Sequence, residues 1–391
     1  MNKILIPKEG NSTFTMIYAK TGSRCEPASI KGISHFLEHI MFKGTPTKTA
    51  KEIAYSIEKY GAQFNAWTDY ELTAYWIKSA NKYKKDAENL LMDMLNNSYF
   101  PQVEIDKERN VILQEMKMYD DNPRSAVSEI YQKSLFEEVD GLYLPIIGTE
   151  KSLANIDRVA LLGYFRTKYK DLTFVQIGDV PKYLEIWDMS ELVFHNIHSS
   201  VPCIKNLTGR NNVIVKRPGI SQANIIVGNV IKPYDKSNID TIVLTDLLEG
   251  VMNGMSGRLF SKLREENNLC YRIYFGMGIY SCGTPGWYVS MGLDAENINK
   301  AYDLIIEELT KEITEKEINY SVTKKIGEKA IQEDDLSSMA QTIAYLDLKD
   351  VDYMEYLTNY EKFVKSQAKN LREFVKTINF KNNVVAQLIP E

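Results

Sequence analysis

Histidine and cysteine are both scarce in this chain, four of each in 391 residues, and each scarcity excludes something. Cys25, Cys203, Cys270 and Cys282 are too few and too far apart for a disulfide scaffold, and no pair has the C-x-x-C spacing of a structural metal site. They read as small side chains in a reducing compartment, so a cytoplasmic location is expected. An excess of basic charge is also missing. Lys and Arg number 47 against 52 Asp and Glu, a net charge of −5, and the basic residues are scattered, so neither a nucleic-acid stripe nor a polybasic membrane patch is expected. No window approaches the roughly 18 apolar residues of a membrane span. The apolar run Ile4-Leu5-Ile6 stops at Pro7, too soon for the core of a signal peptide. What remains, 44% hydrophobic and 25% charged, is an ordinary globular composition, long enough for two domains.

Two of the four histidines stand together in Ser34-His35-Phe36-Leu37-Glu38-His39-Ile40-Met41-Phe42-Lys43-Gly44-Thr45. On a helix His35 and His39 are one turn apart on one face, close enough to share a metal ion, with Glu38 beside them. This H-x-x-E-H order is the inverted zincin pattern: two imidazoles hold Zn²⁺ and the uncoordinated glutamate acts as general base on the metal-bound water. Catalytic zinc ordinarily takes a third protein ligand. The segment Val103 to Tyr119 reads as an amphipathic helix with Glu104, Glu108 and Glu115 on one stripe, and Glu115 is the candidate. The stripe could equally be a solvated helix face. The other histidine pair, His195 and His198, has no accompanying carboxylate or thiolate cluster and is set aside.

The pattern of elements divides the chain. From Phe14 to Val180 apolar alternation and helical periodicity predict a strand, the motif helix, a second helix from Ala50, a strand pair at Gln63–Thr68 and Leu72–Ile77, three or more further helices, and a strand at Leu172–Val180. Periodicity fades through 199–212, the expected linker between domains 1–198 and 213–391. The order then restarts, with strands near Val213 and Ala223, a helix to Met252, a helix from Arg258 to Asn267 and a hairpin at Tyr271–Tyr280 and Gly286–Leu293. Helices at Ile298–Thr310, Glu315–Gln332, Asp335–Leu348 and Glu361–Ile378 and a last strand at Val384–Ile389 complete the pattern. The repeated order suggests an internal duplication.

The run His35 to Thr45, followed by Asn65-Ala66-x-Thr68 and by Glu108 and Glu115, resembles the pitrilysin family of inverzincin metallopeptidases, which includes mitochondrial processing peptidases and insulin-degrading enzyme. Gly254-Met255-Ser256-Gly257-Arg258-Leu259-Phe260 and Arg264 to Tyr271 resemble that family's distal segment. The resemblance implies an α+β fold of two homologous α/β-sandwich domains, each a mixed sheet flanked by helices, together forming one half of a clamshell. It implies one Zn²⁺ per chain on His35, His39 and Glu115, with Glu38 as base and Glu108 as a support to a ligating imidazole. It further implies that Arg264 and Tyr271 act on the substrate and its oxyanion, and that a peptide adds to the edge strand at Asn65, Ala66 and Trp67. The expected activity is hydrolysis of unfolded peptides in an enclosed chamber, closed by a homodimer or by a related partner chain. A non-catalytic scaffold of the same fold and a maturation protease dedicated to one precursor are the alternatives. The stretch ahead of the motif is short, so the extra N-terminal strand of many relatives is expected to be trimmed, and Asn268 stands where relatives commonly carry glycine.

Overall fold

The computed structural model describes residues 2–138, 140–180, 204–205, 207, 209–231, 238–280 and 284–391. In chain order the elements begin with β1 (Asn2–Pro7), β2 (Ser12–Ala19), α1 (Ile33–Ile40), β3 (Gly44–Thr45), β4 (Lys48–Thr49), α2 (Ala50–Glu58), β5 (Gln63–Thr68) and β6 (Thr73–Ala80). Next come α3 (Lys84–Asn97), α4 (Gln102–Asp121), α5 (Pro123–Leu135), α6 (Glu150–Ala154), α7 (Arg158–Lys168), β7 (Leu172–Gly178), β8 (Arg210–Arg217), β9 (Ala223–Val230) and α8 (Asn238–Met252). A π-helical segment at Phe260–Glu266 leads to β10 (Cys270–Ile279), β11 (Pro285–Leu293), α9 (Ile298–Thr310), α10 (Glu315–Asp334), α11 (Leu336–Leu348), α12 (Tyr353–Gln367), α13 (Leu371–Lys376) and β12 (Asn383–Pro390).

Packing gathers these elements into two compact units. One comprises Met1–Lys117, Leu144–Ser199 and Glu333–Leu348, the other Met118–Tyr143, Ser200–Gln332 and Lys349–Glu391. Each unit therefore holds one helix from the opposite half of the sequence: α11 packs on β2 and β7 in the first, α5 on β9 and β12 in the second. This division by packing differs in that exchange from the expected division by order, 1–198 and 213–391; half of the expected linker, 199–212, lies outside the described residues, and its last three residues belong to β8.

In the first unit the sheet order is β1-β7-β2-β6-β5, with β1 parallel to β7 and the other pairs antiparallel. Period-two alternation on β2 sends Ile17 and Ala19 into a core shared with Phe36, Leu37, Leu90, Leu91 and Ile112. Tyr18 points to the other face, where its hydroxyl donates to Asp347 of α11. The second unit repeats the plan as β8-β12-β9-β11-β10, with β8 parallel to β12. The α+β class with two helix-flanked mixed sheets is thus as expected, and no helix among the described residues is long and apolar enough to cross a membrane.

Two expectations change. The N-terminal strand is present: Asn2–Pro7 pairs along its whole length with Thr173–Gly178. Its apolar run is too short to signal a strand alone, and a parallel partner distant in sequence supplies the ladder. The helix expected at Glu361–Ile378 instead starts at Tyr353, where the Asp352 side chain accepts from Glu355 N at 2.9 Å, and a 3₁₀ turn at Ala368–Asn370 separates it from α13.

Candidate metal centre

The centre starts with a short amphipathic helix. Ile33, Phe36, Leu37 and Ile40 of α1 are buried, which leaves His35, Glu38 and His39 as a polar stripe. The start of α1 is fixed by Gly32, whose φ of +93° suits glycine and where a Cβ would lie 2.5 Å from the carbonyl oxygen of Ile147. Both Gly32 N and Ser34 N donate to the buried Glu26 carboxylate at 2.7 Å, satisfying orphan donors of the first turn. Lys31 Nζ lies 3.9 Å from that carboxylate and donates to Ser23 O at 2.5 Å. Burial, partly offset by Lys31 and the two amides, pushes Glu26 up to about 7.

The second helix of the centre is α4, which buries Ile105, Ile112 and Glu108. Glu108 and Glu115, two turns apart, share the face that meets α1, whereas Glu104 pairs with Lys107 at 2.7 Å and stays outside. Glu115 Oε2 lies 3.7 Å from His35 Nε2 and 3.4 Å from His39 Nε2. One ligand atom from each of the three residues falls within 4.8 Å of the others. Ligand atoms about 2.0–2.1 Å from a tetrahedral zinc stand about 3.4 Å apart, so this donor set fits that ion. Glu108 completes the arrangement: its Oε2 is 3.2 Å from His39 Nδ1 and its Oε1 2.7 Å from Lys43 Nζ. A proton held on Nδ1 by Glu108 leaves His39 Nε2 free to ligate.

Electrostatics separate the two imidazoles. Burial, helped by the neighbouring His39 charge and opposed by Glu115, takes His35 down to about 4. Burial also opposes charge on His39, but hydrogen bonds to Glu108 and Glu115 and the charge of Glu38 outweigh it and raise His39 to about 9. Glu38 is raised by burial and held back by Thr68, whose hydroxyl donates to its Oε2 at 2.7 Å. Metal binding at neutral pH therefore has to displace a proton from His39.

Beside the centre a cleft of about 370 Å³ is lined by Glu38, His39, Phe42, Ile53, Phe64 and Asn65 among others. Ala66 also lines it and Trp67 does not: alternation turns Trp67 to the other side of β5, where it hydrogen-bonds Tyr345 of α11. Arg264 and Tyr271 belong to the second unit. There the Arg264 guanidinium lies 5.0 Å from the Tyr271 ring centre and 4.6 Å from that of Phe260, and Tyr271 is 83% exposed. Asn268 makes the turn between them with φ +52°, a left-handed conformation that asparagine tolerates better than most residues. His195 and His198 lie outside the described residues. Sequence reasoning missed Glu26 and gave Thr68 no role. The signal for Thr68 was its place two residues beyond Ala66 on one face of a strand; Glu26 gave none, reading as a loop acid before Pro27.

An inverted H-x-x-E-H stripe completed by a carboxylate from a second helix, on an α+β sandwich, has the arrangement of an inverzincin-type metal centre. Comparison with known proteins agrees: residues 6–149 match the insulinase (peptidase family M16) model and residues 176–325 the peptidase M16 inactive domain. The chain belongs to peptidase family M16. It is 33% identical over 284 residues to the uncharacterized zinc protease YmxG of Bacillus subtilis, covering 70% of this chain and 68% of that one. With an uncharacterized zinc protease of Rickettsia felis it is 33% identical over 321 residues, 80% and 73% of the two chains. In fold it is similar to a protease from Helicobacter pylori, with TM-score 0.86 at 18% identity over 99% of this chain and 96% of that one. A peptidase M16 inactive domain from Pseudomonas fluorescens gives 0.79 at 16% identity, over 100% and 95%.

Proposed function

We propose that this protein is a zinc metalloendopeptidase that hydrolyses unfolded peptides, with Glu38 as general base. The observation that carries the reading is the convergence of His35, His39 and Glu115 beside an uncoordinated Glu38 at the head of an open cleft. When bound, zinc supplies Lewis-acid polarisation of the scissile carbonyl and of water. Glu38 takes the proton of the attacking water and returns it to the leaving amine. Its raised proton affinity suits a group that must do both. Glu108 keeps His39 in the ligating tautomer, and Lys43 holds Glu108 ionised. Main-chain groups of Asn65 and Ala66, on the edge strand β5, pair with an extended peptide, while the apolar base of the cleft, Phe42, Ile53 and Phe64, accepts a side chain. Tyr271 contributes a hydrogen-bond donor to the developing oxyanion, and Arg264 holds the substrate.

Within this proposal the active form is a homodimer, or a pair with a related chain, and a cytoplasmic site of action follows from the sparse cysteines. The scaffold alternative is less well supported because every residue of the motif and its supports is in place. The test is mass spectrometry of cleavage products from a peptide library with and without a chelator. Chelator-sensitive cleavage of many sequences supports a general peptidase and cleavage of one supports a dedicated maturation enzyme. A zinc-loaded protein that cleaves nothing overturns the reading.

A further inference from the structure

We infer that Thr68 is a positioning residue that sets the Glu38 carboxylate in register with the strand on which a peptide is laid out; this rests on the peptidase reading above. Three observations converge on it. First, Thr68 Oγ1 donates to Glu38 Oε2 at 2.7 Å, and among the described residues this is the one hydrogen bond that the Glu38 carboxylate makes. Second, Thr68 is not on a loop. It ends β5, paired with Thr73 of β6, so the sheet ladder fixes its backbone, and a β-branched side chain has few rotamers with which to wander. Third, β5 is the outermost strand of its sheet, bonded to β6 alone, and Asn65 and Ala66 line the cleft that also touches Glu38.

One strand therefore serves two purposes. Its free edge offers main-chain groups to an added peptide, and its α1-facing row, Phe64, Ala66 and Thr68, packs towards the motif helix. Phe64 does so through Phe42, with ring centres 5.3 Å apart. Thr68 does so through the base itself. The distance between Glu38 and a scissile carbonyl on β5 is then set by one rigid element plus one hydrogen bond, rather than by the packing of a separate helix against the substrate. Without the hydroxyl, the terminal torsion of Glu38 is broad, and a base displaced by about 1 Å costs about a hundredfold in rate.

Valine is the informative substitution, because it keeps the shape of threonine and favours strands. Kinetics on the quenched fluorescent peptide that the wild-type library screen selects should show Thr68→Val lowering kcat about 10–100-fold, with KM within about twofold. Zinc content and melting temperature should match wild type, and Thr68→Ser should restore most of the lost kcat. Wild-type kcat in Thr68→Val overturns the inference, as does a loss confined to KM or one that serine does not repair. If wild type itself shows no chelator-sensitive cleavage, the peptidase reading falls first and this inference with it.

Discussion

The two units share a strand order and a parallel outer pair, and each follows its second strand with a helix, α1 in one and α8 in the other. They differ in what those helices do with polar side chains. On α8, Asp246 accepts from the hydroxyls of Tyr356 at 3.3 Å and Tyr360 at 3.1 Å. Glu249 accepts from Met277 N at 2.7 Å and lies 3.8 Å from Lys325 Nζ. Burial raises both carboxyls, Glu249 to about 7, yet tyrosines, an amide and a lysine are built around them. On α1 the polar groups outnumber their partners. Among the described residues His35 Nδ1 is buried without a hydrogen-bond partner, and ligand atoms of His35, His39 and Glu115 converge within 4.8 Å of one another. A buried polar stripe becomes a site for an external ion where the fold supplies fewer partners than groups, and a structural cluster where the count balances.

Four experiments would break or sharpen that contrast. Glu38→Gln should keep zinc and lower turnover by about 10²–10⁴-fold; substantial residual cleavage would remove Glu38 from its role. Glu115→Ala should lose zinc on dialysis, and Glu108→Gln should weaken zinc affinity about 10–100-fold, both read by metal analysis after competition with a chelator. Zinc titration by calorimetry at pH 7 in buffers of different ionisation enthalpy should release about one proton, because His39 is protonated in the metal-free centre. The sign follows from its raised value: zinc affinity should climb from pH 6 towards pH 9, the value near which His39 loses its proton, and level off above it. In the second unit, Asp246→Leu should lower stability by about 1–3 kcal/mol through the tyrosine hydroxyls it strands. Urea unfolding would measure it, with zinc content and kcat unchanged. A loss of zinc there would mean that the two clusters are not independent.

Much of this was legible in the residues. Periodicity alone located α4, α9 and the β10–β11 hairpin to within a few residues, since each carries a long, regular apolar pattern. The two histidines and Glu38 declared themselves by spacing. Glu115 could be nominated from its stripe, but Glu108 and Glu104 stood on the same stripe; the family resemblance separates their roles, and the approach of α1 gives the physical reason. Glu26 was illegible, because a buried acid that caps a helix through two amides looks in sequence like any acid in a polar loop. Strand β1 was hidden by its brevity and by a partner some 170 residues away, and the start of α12 by a first turn, Tyr353 to Glu355, with little apolar rhythm of its own.

The exchange of helices also has a bearing on how the molecule comes into being. A ribosome releases α1 and α4 before α11, and the contact of Tyr18 with Asp347 has to wait for 329 further residues. Neither half of the sequence, cut at the expected linker, holds a complete unit, so residues 1–198 made alone should fold less stably than they do within the whole chain.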